Sequence, residues 1–316
     1  MMAEPEPEPP QASASSEPEP TSEPEFTDTV QWILVVIAVI FIIVGTIGNS
    51  LVILTIVRMT NRSITEIFLT SLAVADLLVC IACIPLLIVG ITVHSGHTGF
   101  SYILEQQIFY SSSVASILNL TAVAIDRHDV IMNPMNRKIT VKRCKYVLVA
   151  VWAISLLVAV VIYFIPSKYE WILLGLFLFT PLYLMIHCYV KVLKKAKESA
   201  EKVLSEKSNG GATKKKGRVD KTVRMVVVIV VMFCVSWIPS LIVRFLKYTI
   251  DIEDLLLAVL EISSCLVAYG GSSLNFLVYA FMSRKFKNTM MQMFFKRGKV
   301  MPFRNTAGLS MLQTDI

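Results

Sequence analysis

The sequence predicts an all-α membrane protein: a bundle of seven transmembrane helices followed by a short amphipathic eighth helix on the cytoplasmic surface. Three observations carry this. First, apolar blocks long enough to cross roughly 30 Å of hydrocarbon, about 20 residues each, recur seven times in a chain of 316 residues that is 55% hydrophobic. Soluble domains run nearer about 45–50%. Second, of 30 Lys and Arg only Lys168, Arg244 and Lys247 fall outside one alternate set of loops and helix ends, and such an asymmetry places that set in the cytoplasm. Third, the stretch Ser111–His128 is long enough to span but too polar to face lipid. Its Ser113, Ser116, Leu120, Val123 and Arg127 share one helical face, so other helices must cover it. This helix is expected at the centre of the bundle.

The elements follow in order. Residues 1–29, rich in Glu, Pro and Ser, cannot bury a core and read as a disordered acidic extracellular tail with no cleavable signal peptide. Residues 30–282 hold the seven spans, at about 30–57, 65–93, 101–131, 144–165, 171–193, 221–247 and 254–282. An odd number of crossings puts the N-terminus outside and the C-terminus inside. The Lys-rich connection 194–220, with Gly210-Gly211, reads as a helical extension that gives way to a flexible loop. In 283–297, Phe286, Met290, Met293 and Phe294 recur at helical spacing among Arg284, Lys285, Lys287 and Lys296, the pattern of a helix lying on the inner leaflet. Residues 298–316 form a cytoplasmic tail.

Several function classes drop out. The net charge of +7 follows the topology, so it does not point to nucleic acid. No metal-binding, phosphate-binding or nucleophile motif is present, and the chain is not expected to be an enzyme. Cys80, Cys83, Cys144, Cys188, Cys234 and Cys265 all avoid the outer loops, so no disulfide framework is implied. A transporter or channel would need internal repeats or several buried charges along a path, and only Asp76 qualifies.

Asp76, in SLAVADLL, is the acid deep in the membrane. A mid-bilayer carboxylate costs roughly 2.5–3.5 kcal/mol on insertion scales and seeks polar partners inside the bundle. Asn49, Ser116, Ser272 and Asn275 are the candidates. The cluster reads either as hydrogen-bonded glue between helices or as a site for a cation, sodium, or a proton. Phe233, Trp237 and Pro239 form F-x-x-x-W-x-P. The proline frees the Val235 carbonyl and kinks the helix, and the two aromatics share a face. Trp152, alone in the fourth span, reads as a lipid-facing indole. Pro181 frees a second carbonyl, two turns before Tyr189.

Taken together these residues resemble the rhodopsin-like (class A) G-protein-coupled receptors over roughly residues 30–296. The landmarks stand in family order: Asn49, LAVAD ending at Asp76, AIDRH with Asp126-Arg127, Trp152, Pro181 and Tyr189, FCVSWIP, NFLVY from Asn275 to Tyr279, then Phe286. The resemblance implies a plasma-membrane receptor that binds an extracellular ligand and activates heterotrimeric G-proteins when the sixth helix swings outward, with arrestin as a further inner partner. It implies that Asp126 holds Arg127 in the closed state, that Tyr189 and Tyr279 steady Arg127 in the open one, and that Phe233 and Trp237 relay occupancy to the kink at Pro239. Asp76, Ser116, Ser272 and Asn275 would form a sodium site.

The chain departs from the family pattern at informative points. Phe276 stands where the seventh-helix motif has proline, which restores a backbone donor and should straighten that helix; Gly270-Gly271-Ser272-Ser273 would then supply flexibility. His128 replaces the usual aromatic after Arg127. The sixth-helix position expected to latch Arg127 holds Val219, with Asp220 beside it, so a weak latch and raised basal activity are expected. Tyr102 stands at the disulfide position of the third helix, and the loop after Pro166 is too short for a hairpin lid. A receptor-like scaffold that does not signal is the alternative these departures leave open.

For the ligand, the inward-facing candidates are Glu105, Phe109, Ser112 and Ser113 on the third helix, Ser240, Leu241 and Arg244 beside Trp237 on the sixth, and Glu261, Cys265 and Tyr269 on the seventh. Phe109 takes the position of the amine-capturing aspartate, so a monoamine is not expected. No lysine in 254–282 can form an opsin Schiff base. A small molecule, a lipid or a peptide stays open. Gln313-Thr314-Asp315-Ile316 matches the C-terminal pattern that PDZ domains bind.

Overall fold

A computed structural model describes residues 28–59, 62–92, 99–133, 139–207 and 216–295. Among them are α1 (Asp28–Val57), α2 (Ile64–Thr92), α3 (Phe100–Met132), α4 (Val141–Phe164), α5 (Ser167–Lys207), α6 (Lys216–Lys247), α7 (Asp254–Met282) and α8 (Arg284–Phe295). The first seven are long and apolar enough to cross a membrane, within a few residues of the expected spans. The helical extension after the fifth span reaches Lys207; Asp28 and Thr29, expected in the acidic tail, open α1 instead, while the rest of that tail, Gly210-Gly211 and the PDZ-type terminus lie outside the described residues. Below, the end of the bundle holding the N-terminus of α1 is called outer, and the end from which α8 departs inner.

Helix α3 is the central one. In its most apolar stretch 78% of the residues are buried, against 22–50% in the other six spans. Its serines therefore never meet lipid: Ser111, Ser112, Ser113 and Ser116 are all buried.

Helix α2 begins with a capping box. The Glu66 N–H donates to Ser63 Oγ (3.3 Å) and the Ser63 N–H to Glu66 Oε2 (2.7 Å), which satisfies orphan donors of the first turn. The helix carries a π turn at Val79–Cys83, where the Ile84 N–H reaches back five residues to the Val79 carbonyl. Pro85 follows at once and has no N–H to donate to Ile81; a local π turn is a usual response to such a gap. The turn leaves Cys80 and Cys83 buried, Cys80 Sγ 3.5 Å from Ser273 Oγ of α7 and Cys83 Sγ donating to the Glu105 carbonyl of α3 (3.8 Å). All six cysteines are free thiols.

Helix α7 is an uninterrupted α-helix through Phe276, and it packs on α1 through glycines. A Cβ at Gly48 would fall inside the Phe276 ring, and one at Gly270 would lie 2.8 Å from the Phe41 ring. Each helix thus presses a phenyl ring into a glycine notch of the other. Gly45 also lies against Ser273, and Gly271 against Ser236 of α6. Small residues at such contacts let membrane helices approach closely. The Gly270-Gly271 pair, expected as a flexible joint, is occupied as packing surface.

Trp152 does not face lipid alone: its indole N–H donates to Ser71 Oγ of α2 at 3.1 Å. This corrects the expectation, because an indole needs only one nearby acceptor to be drawn inward. Helix α8 lies with Phe286 buried and Phe294 exposed, and Lys285 Nζ pairs with Glu66 (2.7 Å), tying it to the start of α2.

Candidate functional site

The outer ends of α2, α3, α5, α6 and α7 surround a cavity of about 190 Å³. Seven of the ten expected pocket residues line it: Glu105, Phe109, Ser240, Arg244, Glu261, Cys265 and Tyr269. Charge is paired across helices. The Arg244 guanidinium of α6 donates to Glu170 of α5 (3.2 Å), which also accepts from the Tyr110 hydroxyl of α3 (3.2 Å). Arg244 lies 5.7 Å over the Tyr110 ring. Lys247 of α6 reaches Glu261 of α7 at 2.8 Å. Deeper in, the buried Glu105 accepts from the Tyr269 hydroxyl at 2.6 Å. Glu170, Lys247, Tyr110 and Tyr102 were not among the expected pocket residues. The available signal was that Glu170 and Arg244 both sit at the outer ends of consecutive spans.

Three expected pocket residues lie elsewhere. Ser112 is buried with an unpartnered hydroxyl. Ser113 donates to the Phe109 carbonyl and lines a lower cavity beside Asp76. Leu241 borders an apolar groove between α5 and α6 that opens toward the bilayer. For the two serines the reason is a plug: Phe109 stacks on Trp237 (centroids 4.9 Å, planes 14° apart) and meets Tyr269 edge-on (4.9 Å, 83°), which seals the floor one turn above them.

Below the plug, Trp237 stacks on Phe233 (5.7 Å, 22°), so three rings from α3 and α6 form one column. Beside it Asp76, Ser113, Ser116, Ser236, Ser272 and Asn275 line a cavity of about 10 Å³, room for about one water-sized species. Asn275 Nδ2 donates to Asp76 Oδ2 at 2.9 Å, and the Ser116 and Ser272 hydroxyls stand beside the carboxylate, whose Oδ1 makes no hydrogen bond of ordinary geometry among the described residues. Asn49 takes no part in this contact; its Nδ2 donates to the carbonyls of Gly45 and Ser272, each at 3.1 Å. A carboxylate ringed by serine hydroxyls is an oxygen-rich pocket of the kind a hard cation such as sodium would fit.

At the inner end Arg127 pairs with Asp126 (2.7 Å) and with the hydroxyl of Thr65 in α2, which itself donates to Asp126 (3.0 Å). Thr65 was not expected. His128 Nδ1 lies 3.5 Å from Asp129. Tyr189 and Tyr279 are buried, and their hydroxyls have no hydrogen-bond partner among the described residues. The side chains of Val219 and Asp220 lie outside the described set. Pro239 and Pro181 both sit inside continuous helices.

Comparison with known proteins identifies the family. The chain matches the 7 transmembrane receptor (rhodopsin family) profile over residues 48–170 and 164–279. It is 30% identical to the galanin receptor type 1 of Homo sapiens over 83% of this chain and 81% of that one. It is 27% identical to the neuropeptide Y receptor type 2 of Sus scrofa (86% and 80%) and 25% identical to a QRFP-like peptide receptor of Branchiostoma floridae (85% and 79%). Squid rhodopsin shares the fold with a TM-score of 0.75 at 19% identity, covering 85% of this chain and 87% of that one. With seven spans, a central polar helix and the family landmarks in place, the chain belongs to the rhodopsin family of seven-transmembrane receptors and is a G-protein-coupled receptor.

Proposed function

We propose that this receptor sits in the plasma membrane with its N-terminus outside and takes a peptide into the outer cavity. The observation that carries the reading is the paired charge on the cavity wall, Arg244 with Glu170 and Lys247 with Glu261. A ligand bearing both signs, as a peptide does, can exchange partners with such pairs without leaving a buried charge alone. A purely apolar lipid would leave them with nothing to bind. The relatives named for galanin, neuropeptide Y and QRFP-like peptides support the same class.

Occupancy would act on Trp237 through Phe109, and the part of α6 below Pro239 would swing outward to admit a heterotrimeric G-protein. Arg127 would then leave Asp126 and Thr65 for the transducer, steadied by Tyr189 and Tyr279. Asp76 with Ser116, Ser272 and Asn275 would hold sodium in the closed state. Arrestin would use the same inner face, and a PDZ-domain protein the terminal Gln313–Ile316. Guanine-nucleotide exchange by purified protein in nanodiscs, screened against a peptide library, tests the reading. Arg244→Ala should weaken the potency of an active peptide at least roughly ten-fold, the loss of one charge-assisted contact of about 1.5–3 kcal/mol; unchanged potency would remove the cavity assignment. The rival reading, a scaffold that does not signal, is favoured by the Phe276 ring held in the Gly48 notch, and an absence of exchange with every peptide would select it.

A further inference from the structure

The apolar groove between α5 and α6 is larger than the outer cavity, about 410 Å³ against about 190 Å³, and it opens to the bilayer instead of the bundle axis. Trp171, Gly175, Phe179 and Thr180 of α5 form one wall, and Ile238 and Phe245 of α6 belong to the other. The Trp171 ring meets the Phe245 ring edge-on (5.1 Å, 76°) and narrows the outer end. The middle is open because Gly175 carries no side chain. A Cβ there would find no nearer atom than the Phe179 ring, at 3.9 Å.

A cation stands over this groove. Lys168 is exposed in the first turn of α5, on the same stripe as Gly175 and Phe179 at i, i+7 and i+11. Arg244 and Lys247 are paired with Glu170 and Glu261 at the outer cavity. Lys168 meets no carboxylate among the described residues, and its Nζ rests 4.9 Å over the Tyr169 ring. Its stem can lie along apolar surface while the ammonium stays at the interface. From Trp171 to Thr180 the groove follows nine residues of helix, about 13.5 Å. An extended alkyl chain covers that with about eleven methylenes, advancing about 1.25 Å for each bond of about 1.5 Å. Volume gives a similar count, since at about 30 Å³ for each methylene, the space of a water, the groove takes about thirteen. One tail fits; two do not.

We propose that this groove binds a long-chain fatty acid, with its carboxylate on Lys168 and its single chain running between α5 and α6 down to Thr180. Bilayer tails are as apolar as the groove, so burial of a chain selects nothing over bulk lipid. Selection comes from the ion pair at the head and from a trough the width of one tail. A neutral diacyl lipid matches neither. The bound chain lies against Ile238 and Leu241, on either side of Pro239, and so against the segment of α6 that carries the kink. The site is separate from the outer cavity and does not depend on what that cavity takes.

The test is photolabelling of the full-length receptor, in nanodiscs of phosphatidylcholine, with palmitic acid carrying a diazirine at mid-chain. Adducts mapped by mass spectrometry should fall within 171–180 and 238–245 and be competed by unlabelled palmitate. Palmitate methyl ester, which lacks the charge, should compete more weakly. Lys168→Gln should weaken palmitate roughly two- to five-fold, the range of an exposed ion pair, and leave the ester unchanged. Gly175→Leu should weaken both at least about ten-fold by filling the groove. Leucine has room there in the fold, and unchanged melting temperatures would confirm that both variants are intact. Adducts spread evenly over the lipid-facing helices, equal competition by palmitate and its ester, competition by phosphatidylserine as strong as by palmitate, or undiminished labelling of Gly175→Leu would each overturn the proposal. No peptide or G-protein enters the readout, so the groove and the outer cavity are tested apart.

Discussion

Gly48→Ala should destabilise the receptor, and Phe276→Leu should relieve most of the loss. A methyl group at Gly48 would occupy the space of three Phe276 ring atoms, whereas carbon atoms rest at about 3.5–4.0 Å from each other. The ring cannot stay where it is. Gly48 is buried and Phe276 packs against the larger apolar core, so either the ring leaves its rotamer or α1 backs away from α7. Overpacking of this kind costs about 1–3 kcal/mol, which corresponds to a fall of roughly 2–12 °C in melting temperature for a domain of this order of size. Leucine at Phe276 is shorter and leaves room for the methyl, so the double variant should lie closer to wild type than the sum of the single effects, with a coupling of about 1–2 kcal/mol. Heating the purified receptor with a thiol-reactive fluorogenic dye reads this directly, because Cys80, Cys83 and Cys144 are buried until the bundle opens. A Gly48→Ala receptor that melts within one degree or so of wild type, or one that Phe276→Leu fails to rescue, would refute the ring-in-notch contact.

Three further outcomes follow from the same contacts. Replacing sodium by choline at constant ionic strength should lower the melting temperature of wild type but not of Asp76→Asn; with sodium at ten times its Kd the difference is RT ln 11, about 1.4 kcal/mol, and equal sodium dependence in both would discard the site. Trp152→Phe and Ser71→Ala should each lower stability by about 0.5–1.5 kcal/mol, the worth of one hydrogen bond, and combining them should add little; additive losses in thermal melts would show that the two side chains act separately. Gly271→Ala should reduce stability through contact with Ser236, and Ser236→Gly should restore it. Restored stability with signalling still lost would instead favour the flexible-joint reading of Gly270-Gly271.

The spans, the central place of α3 and the meeting of Asp76 with Asn275 were legible because length, hydropathy and family order suffice for them. Contacts that depend on how one helix is rotated and tilted against another were not. Leu241 neighbours Ser240 in sequence, but about 100° of helical rotation turns it to the bilayer groove. Ser112 and Ser113 were placed one turn too deep to see the cavity, since nothing in the sequence announces that Phe109 and Trp237 close its floor. Glu170 was not singled out, because its partner Arg244 lies 74 positions away. The π turn did have a cue, Pro85. Trp152 had none, as one serine on another helix decides its orientation.

The restraints on α6 are distributed in a way that suits a receptor opened from outside. At its outer end the helix is tied to α5 by Arg244–Glu170 and to α7 by Lys247–Glu261. In its middle Trp237 is held between Phe109 and Phe233. At the inner end Arg127 spends its contacts on Asp126 and on Thr65 of α2. The outer pair at Lys247 is half-exposed and contributes about 0–1 kcal/mol, and breaking both ring stacks costs about 1–3 kcal/mol. A ligand needs about 5.5 kcal/mol of differential affinity to carry a two-state equilibrium from 1:99 to 99:1. On the proposed reading, a peptide would supply that affinity by exchanging partners with the two ion pairs and lifting the weight off Phe109, both on the wall or floor of the same outer cavity. On that same reading, energy delivered there would reach Pro239 through Trp237, two residues away, without having to break the Arg127 clasp first.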